Sequence, residues 1–176
     1  FFLFGSRDVW FVLALPIYLG ATLHWSFYET GGFLALWVIG YGLVQASAPR
    51  FAGKRVRGKV LPPDAAALGR WSALLTIPLG LLIGALIYGA AQGPTLVIGL
   101  SLFGVVFAAN SAVHSYLVVH YADEGNVSMA VGFYYMANAA GRLVGTLLSG
   151  VVFQWWGQGQ AGLVACLITS LGFVLA

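Results

Sequence analysis

The chain has 176 residues, 60% of them hydrophobic and only 7% charged, with a formal net charge of +3 and a mean hydropathy of +0.91. Ordinary soluble domains carry about 25% charged residues, so the composition excludes a soluble domain and indicates an integral membrane protein. The basic residues mark topology, and no nucleic-acid partner is expected from them.

Six apolar spans are predicted, at about 1–22, 31–48, 67–90, 94–119, 128–154 and 160–176. Backbone polar groups in lipid must be satisfied within the segment, so each span reads as a helix. A transmembrane barrel would instead alternate apolar and polar residues. Glycine, at 24 residues, suits close helix packing, where small side chains let backbones approach. The first residue is Phe1 and the last is Ala176, inside an apolar run. The expectation is that 1–176 forms part of a longer chain. No signal-peptide pattern is visible.

The first span carries Arg7 and Asp8 side by side. Neighbours in a helix do not face each other, so this pair is not expected to form a simple ion pair. Arg7 is read either as snorkelling to the headgroups or as a substrate contact. Asp8 is read as a proton-coupling group or as the partner of an arginine on another helix. Pro16 removes a backbone donor, predicting a kink, as does Pro78 in the third span. In the second span Tyr41 and Gln45, four apart, give a modest polar face.

The loop 49–66 holds Arg50, Lys54, Arg55, Arg57 and Lys59, and Arg70 follows at the start of the third span. Short loops rich in Lys and Arg stay in the cytoplasm. Both ends of the chain are then also cytoplasmic, and so is the loop His120–Asn126 with Asp123 and Glu124. Trp25, Trp71, Trp155 and Trp156 fall near span ends as an interfacial belt. Trp10 and Trp37 lie deeper.

The fourth span contains Asn110, Ser111, His114 and Ser115, read as one polar stripe facing protein or water. His114 and Asn110 are candidates for substrate or proton contact, with Ser111 beside them. The fifth span lies within Val127–Gly157 and places Arg142 near its middle. A charge at that depth costs several kcal/mol unless it faces water, a partner or a ligand. Asn138 lies four residues before Arg142, with Gly145 and Ser149 continuing the face, and Gly141 and Gly145 form a G-x-x-x-G packing motif. Arg142 is either a structural charge paired with a carboxylate or a ligand for an anion in a wet crevice. Only Asp8 among the acidic residues falls inside a span. Cys166 reads as a small buried hydrophobe. There is no phosphate loop, metal-ligand motif or matched nucleophile and base, so neither an enzyme, a cofactor nor a metal is expected.

The six helices with a basic loop after the second resemble the C-terminal half of a major facilitator superfamily transporter. The superfamily's loop motif, G-x-x-x-D-R-x-G-R-R, is echoed by QASAPRFAGKR through Arg50, Gly53, Lys54 and Arg55. Gln45 and Pro49 stand where the first Gly and the Asp would be, so the interdomain latch made by that Asp is not carried over. The strings FLFGSRDVWFV, GGFLALWVIGYGLVQASAP, NSAVHSYLV and VGFYYMANAAGRLVGTLLSG resemble organoarsenical efflux permeases of the ArsJ type. This resemblance implies a 3+3 inverted repeat, of which Gly32-Phe33 and Gly132-Phe133 are a faint trace, and a twelve-helix transporter of which this is half. It implies as partners a missing N-terminal six-helix half, membrane lipid, and a functional link to a glyceraldehyde-3-phosphate dehydrogenase. The implied substrate is 1-arseno-3-phosphoglycerate, exported across the inner membrane to give arsenate resistance. Buried Arg and His, with Asn and Ser donors, suit such a small anion through charge-assisted hydrogen bonds. Two alternatives stay open: another major facilitator anion transporter, or a non-transporting scaffold or regulatory subunit.

Overall fold

The computed structural model describes residues 1–53, 55–56, 59–123 and 125–176. Lys54 and Arg57 of the basic loop and Glu124 of the later acidic loop lie outside the described residues. The described chain is helical apart from one small β ladder: α1 Phe2–Phe11, α2 Ala14–Ala21, α3 Phe27–Ser47, α4 Ala65–Ile87, α5 Gln92–His120, α6 Val127–Trp155 and α7 Gln160–Leu175. Five stretches are long and apolar enough to cross a membrane, with α1 and α2 together as one of them, and α7 is a shorter apolar helix. The chain therefore has the character of a multi-pass membrane protein.

The first predicted span is two helices. Pro16 has no amide hydrogen, and its ring crowds the carbonyl four residues earlier, that of Val12. The break falls there, at Val12–Leu13, and α2 restarts with the Ile17 amide donating to the Leu13 carbonyl at 3.3 Å. Pro16 then occupies the first turn of α2, where a missing donor does no harm. The opened amide of Ala14 is satisfied from another helix: it donates to Ser149 Oγ of α6 at 3.1 Å, and both residues are fully buried. Ser149→Ala should orphan that buried amide and cost about 1–3 kcal/mol. Thermal unfolding in detergent should show the loss, and Ser149→Thr, which keeps the hydroxyl, should show less of it. Pro78, by contrast, sits inside an unbroken α4.

α3 opens on a capping box. Ser26 Oγ accepts from the Glu29 amide at 3.2 Å while Glu29 Oε2 accepts from the Ser26 amide at 2.7 Å. This reciprocal pairing satisfies amides that a helix start leaves open. Asp64 caps α4 by accepting from the Ala67 amide at 2.7 Å. Between α3 and α4 the basic loop forms a 3-10 turn at Ala48–Arg50 and a two-residue antiparallel ladder of β1 Arg55–Val56 and β2 Lys59–Val60. That ladder is not foreseen from the sequence, because two residues per strand are too few to show alternation.

The core is aromatic where α1, α3 and α5 meet. Trp10 packs edge-on against Trp37 at 5.9 Å and Phe103 at 5.4 Å between ring centres, and Trp37 Nε1 donates to the Leu100 carbonyl at 2.8 Å. These deep tryptophans contrast with Trp155 and Trp156, which are well exposed at the end of α6, as an interfacial belt requires.

The G-x-x-x-G of α6 packs on α1. A Cβ on Gly145 would lie 2.7 Å from the Gly5 carbonyl oxygen, and one on Gly141 would collide with the Phe1 carbonyl. The obstacle is backbone, so it cannot swing aside. Gly145→Ala should therefore push α1 from α6 and cost about 1–3 kcal/mol. Gly150→Ala, on the same helix with nothing within 4 Å of its Cβ, should leave the melting temperature unchanged or raise it, since Ala favours helix more than Gly does.

Candidate functional site

The close approach of α1 and α6 through glycines carries Arg142 to Asp8. Arg142 Nε donates to Asp8 Oδ2 at 3.0 Å. Arg7 Nε donates to the other oxygen, Asp8 Oδ1, at 2.6 Å. One carboxylate thus lies between two guanidiniums. Asp8 is 1% exposed, the Arg7 side chain 13% and the Arg142 side chain 58%. The expectation that Arg7 and Asp8 do not pair is wrong for this helix. Adjacent residues point apart, but the long arginine stem turns back far enough for Nε to reach a short aspartate.

The Arg7 side chain is packed inside the protein. Its guanidinium carbon lies 5.7 Å from the centre of the Phe4 ring, 5.9 Å from Phe11 and 5.6 Å from Phe107. Phe4 and Phe11 sit three before and four after Arg7, so the helix repeat brings both rings to it, and Phe107 arrives from α5. Aromatic faces attract cations, more strongly where water is excluded. The cage and the carboxylate together account for a nearly buried arginine. Sequence reading missed it, although the Phe-x-x-Arg-x-x-x-Phe spacing was the available signal.

Of the two readings of Arg142, the structure shows the one paired with a carboxylate, and of the two readings of Asp8, the one that partners an arginine on another helix. The pairing is incomplete as charge compensation. Two guanidiniums share one carboxylate, which leaves one positive charge over. The more exposed of the two arginines is Arg142, whose bond to Asp8 runs through Nε while its side chain stays more than half exposed. Asn138 and Ser149 are buried with Gly141 and Gly145 on the α6 face toward α1, so Arg142 flanks this face and does not continue it.

The polar run of α5 is divided between two sides. Ser111 faces α3, where Tyr41 Oη and Gln45 Nε2 each approach its Oγ at 3.5 Å, a long and weak separation. Ser115 Oγ lies 3.1 Å from Tyr134 Oη of α6. Asn110 turns to α4 and donates from Nδ2 to Ser72 Oγ at 3.2 Å, and His114 Nδ1 lies 3.0 Å from the Asn110 carbonyl oxygen. Asn110 and His114 line a hollow of about 220 Å³ with Ser72 of α4, Leu3 of α1 and Phe173 of α7. Its lining includes none of Arg7, Asp8, Asn138 and Arg142. A single stripe was expected because i, i+4 pairs were counted. Residues 110 and 111 are about 100° apart around the helix, enough to send the two pairs to different neighbours.

The structure therefore joins Arg7, Asp8 and Arg142, joins Asn110 to His114 in a separate hollow, and brings Ser111 to α3. Ser149 and Cys166 serve the packing: Ser149 caps the broken first span, and buried Cys166 Sγ lies 3.7 Å from the Ser149 carbonyl oxygen. Ser170 of α7 ties to α1 by donating to the Ser6 carbonyl at 2.6 Å. No family model, no curated protein and no solved structure matches this chain.

Proposed function

We propose that this chain is the C-terminal six-helix half of a major facilitator type secondary transporter that expels a small organic anion by alternating access. The observation that carries the reading is the surplus positive charge of Arg7 and Arg142 over Asp8 within apolar helices. A fixed charge in the hydrocarbon region is costly. A fully neutralised pair would need no ligand; a surplus guanidinium on a side chain more than half exposed is suited to a carboxylate, phosphate or arsenate group. Asp8 acts here as the resident counter-ion of the two arginines, a role that fits its bonds better than an isolated proton carrier.

The resemblance to ArsJ-type permeases makes 1-arseno-3-phosphoglycerate the substrate of choice, produced by a partner glyceraldehyde-3-phosphate dehydrogenase and exported to give arsenate resistance. In the same reading the six helices form a 3+3 inverted repeat, the basic loop 49–66 and both chain ends lie in the cytoplasm, and a second six-helix half completes the cavity. Another anion of the same charge would serve the same site in a related major facilitator transporter. The test is uptake into inside-out vesicles of the arsenylated triose acid, formed in place by the dehydrogenase, against triose phosphate acids lacking arsenic.

One observation favours a second reading, a non-transporting scaffold or regulatory subunit. The Asp8–Arg142 bond is the kind of ion pair that fixes one helix against another. In that case Arg142→Gln, which leaves the buried Arg7–Asp8 pair in place, should leave every function of the protein intact. For the transporter it should sharply lower export at low substrate.

A further inference from the structure

The hollow lined by Asn110 and His114 has a chemistry opposite to that of the arginines. A carbonyl oxygen can only accept, so the 3.0 Å contact with the Asn110 carbonyl requires His114 Nδ1 to carry the hydrogen. In the neutral ring this leaves Nε2 as an acceptor, on a side chain that lines the hollow. Asn110 is 1% exposed, and its Oδ1 has no hydrogen-bond partner. Buried polar atoms are rarely left so. His114 Nε2 is thus an unspent acceptor on a half-open hollow of about 220 Å³, roomy enough for several waters, while Asn110 Oδ1 is shut away from water. The other hollows are lined predominantly by apolar side chains.

We infer that this hollow is a proton-binding site, with His114 Nε2 as the group that takes the proton from water in it. The role in transport rests on the proposed function; the protonation chemistry does not. The proton arrives on water, forms the Nε2–H bond to give an imidazolium, and leaves to water on the opposite side, so no other reactant is needed. The ionisable surroundings are sparse. α4 contributes neutral Ser72, and α7 contributes Phe173 and Val174. α1 contributes Phe2 and Leu3. On another side of α5, Tyr134 of α6 is engaged by Ser115. The inference moves His114 from substrate contact to ion coupling, with its tautomer held by the Asn110 backbone carbonyl, and separates the two sites in space.

The test uses the intact protein in lipid nanodiscs, labelled with nitrogen-15 histidine, with His114→Gln to assign the His114 signals against His24 and His120. The expected result is a neutral His114 with hydrogen on Nδ1 that converts reversibly to imidazolium as pH falls. Hydrogen on Nε2 in the neutral form, or one unchanging form from about pH 5 to 8, would overturn the inference. In proteoliposomes, His114→Gln should keep anion counterflow at equal pH and lose at least nine-tenths of the stimulation by an imposed proton gradient, about a tenfold drop. Stimulation equal to wild type would refute the coupling role. Absence of any anion flux by wild type would instead strike the transporter reading, and the nitrogen-15 titration would still decide the protonation site.

Discussion

Asp8→Ala is expected to unfold the contact between α1 and α6, at a cost of about 3–5 kcal/mol, the range for removing one partner of a buried ion pair. The size follows from what is left behind. Arg7 is 13% exposed, ringed by Phe4, Phe11 and Phe107, and its Nε bond ends on Asp8 at 2.6 Å. Without the carboxylate that guanidinium keeps its aromatic faces and loses its counter-ion in a place water reaches poorly. Arg142 suffers less, because its side chain is 58% exposed. A double-mutant cycle separates the two. Arg7→Leu in the Asp8→Ala background should recover most of the melting temperature, since it removes the stranded charge and keeps apolar volume. Arg142→Leu in the same background should recover little. Equal recovery by both would mean that the cage does not isolate Arg7 from solvent.

Much of the helical layout was legible in the sequence, because the length and apolarity of a membrane span are set by the bilayer and not by tertiary partners. The break at Val12–Leu13 was readable from Pro16, but the cap that makes it tolerable was not. Ser149 lies 135 positions from Ala14, and nothing local announces that pairing. The G-x-x-x-G at Gly141 and Gly145 predicted a close helix contact without naming α1 as the partner. At the site, the charges were legible as residues out of place in lipid, and Asp8 stood out as the one acidic residue within a span. Their arrangement was not. Spacing rules treat a side chain as a direction, and Arg7 is long enough to bend back on its neighbour. The division of Asn110 from Ser111 has the same origin, since one residue's turn of the helix decides which neighbour each side chain meets.

The central claim is that the two arginines hold one more charge than Asp8 neutralises, and that an anionic cargo supplies the balance. In the proposed transporter Arg142 is the group that meets it. A hydrogen bond to a charged group is worth about 1.5–3 kcal/mol, so Arg142→Gln should lower apparent affinity for the anion by roughly ten- to a hundredfold. Arg142→Lys should fall between, because a point charge keeps the attraction and loses the planar fork that grips two oxygens. The half-exposed position of Arg142 makes these variants less damaging to folding than Asp8→Ala. The deciding measurement is the initial rate of arsenylated triose acid uptake by inside-out vesicles, with wild type, Arg142→Lys and Arg142→Gln at matched protein levels. The account predicts the order wild type, then Lys, then Gln, with Gln near background at low substrate and partly restored at high substrate. Uptake by Arg142→Gln at the wild-type rate across all substrate concentrations would contradict it.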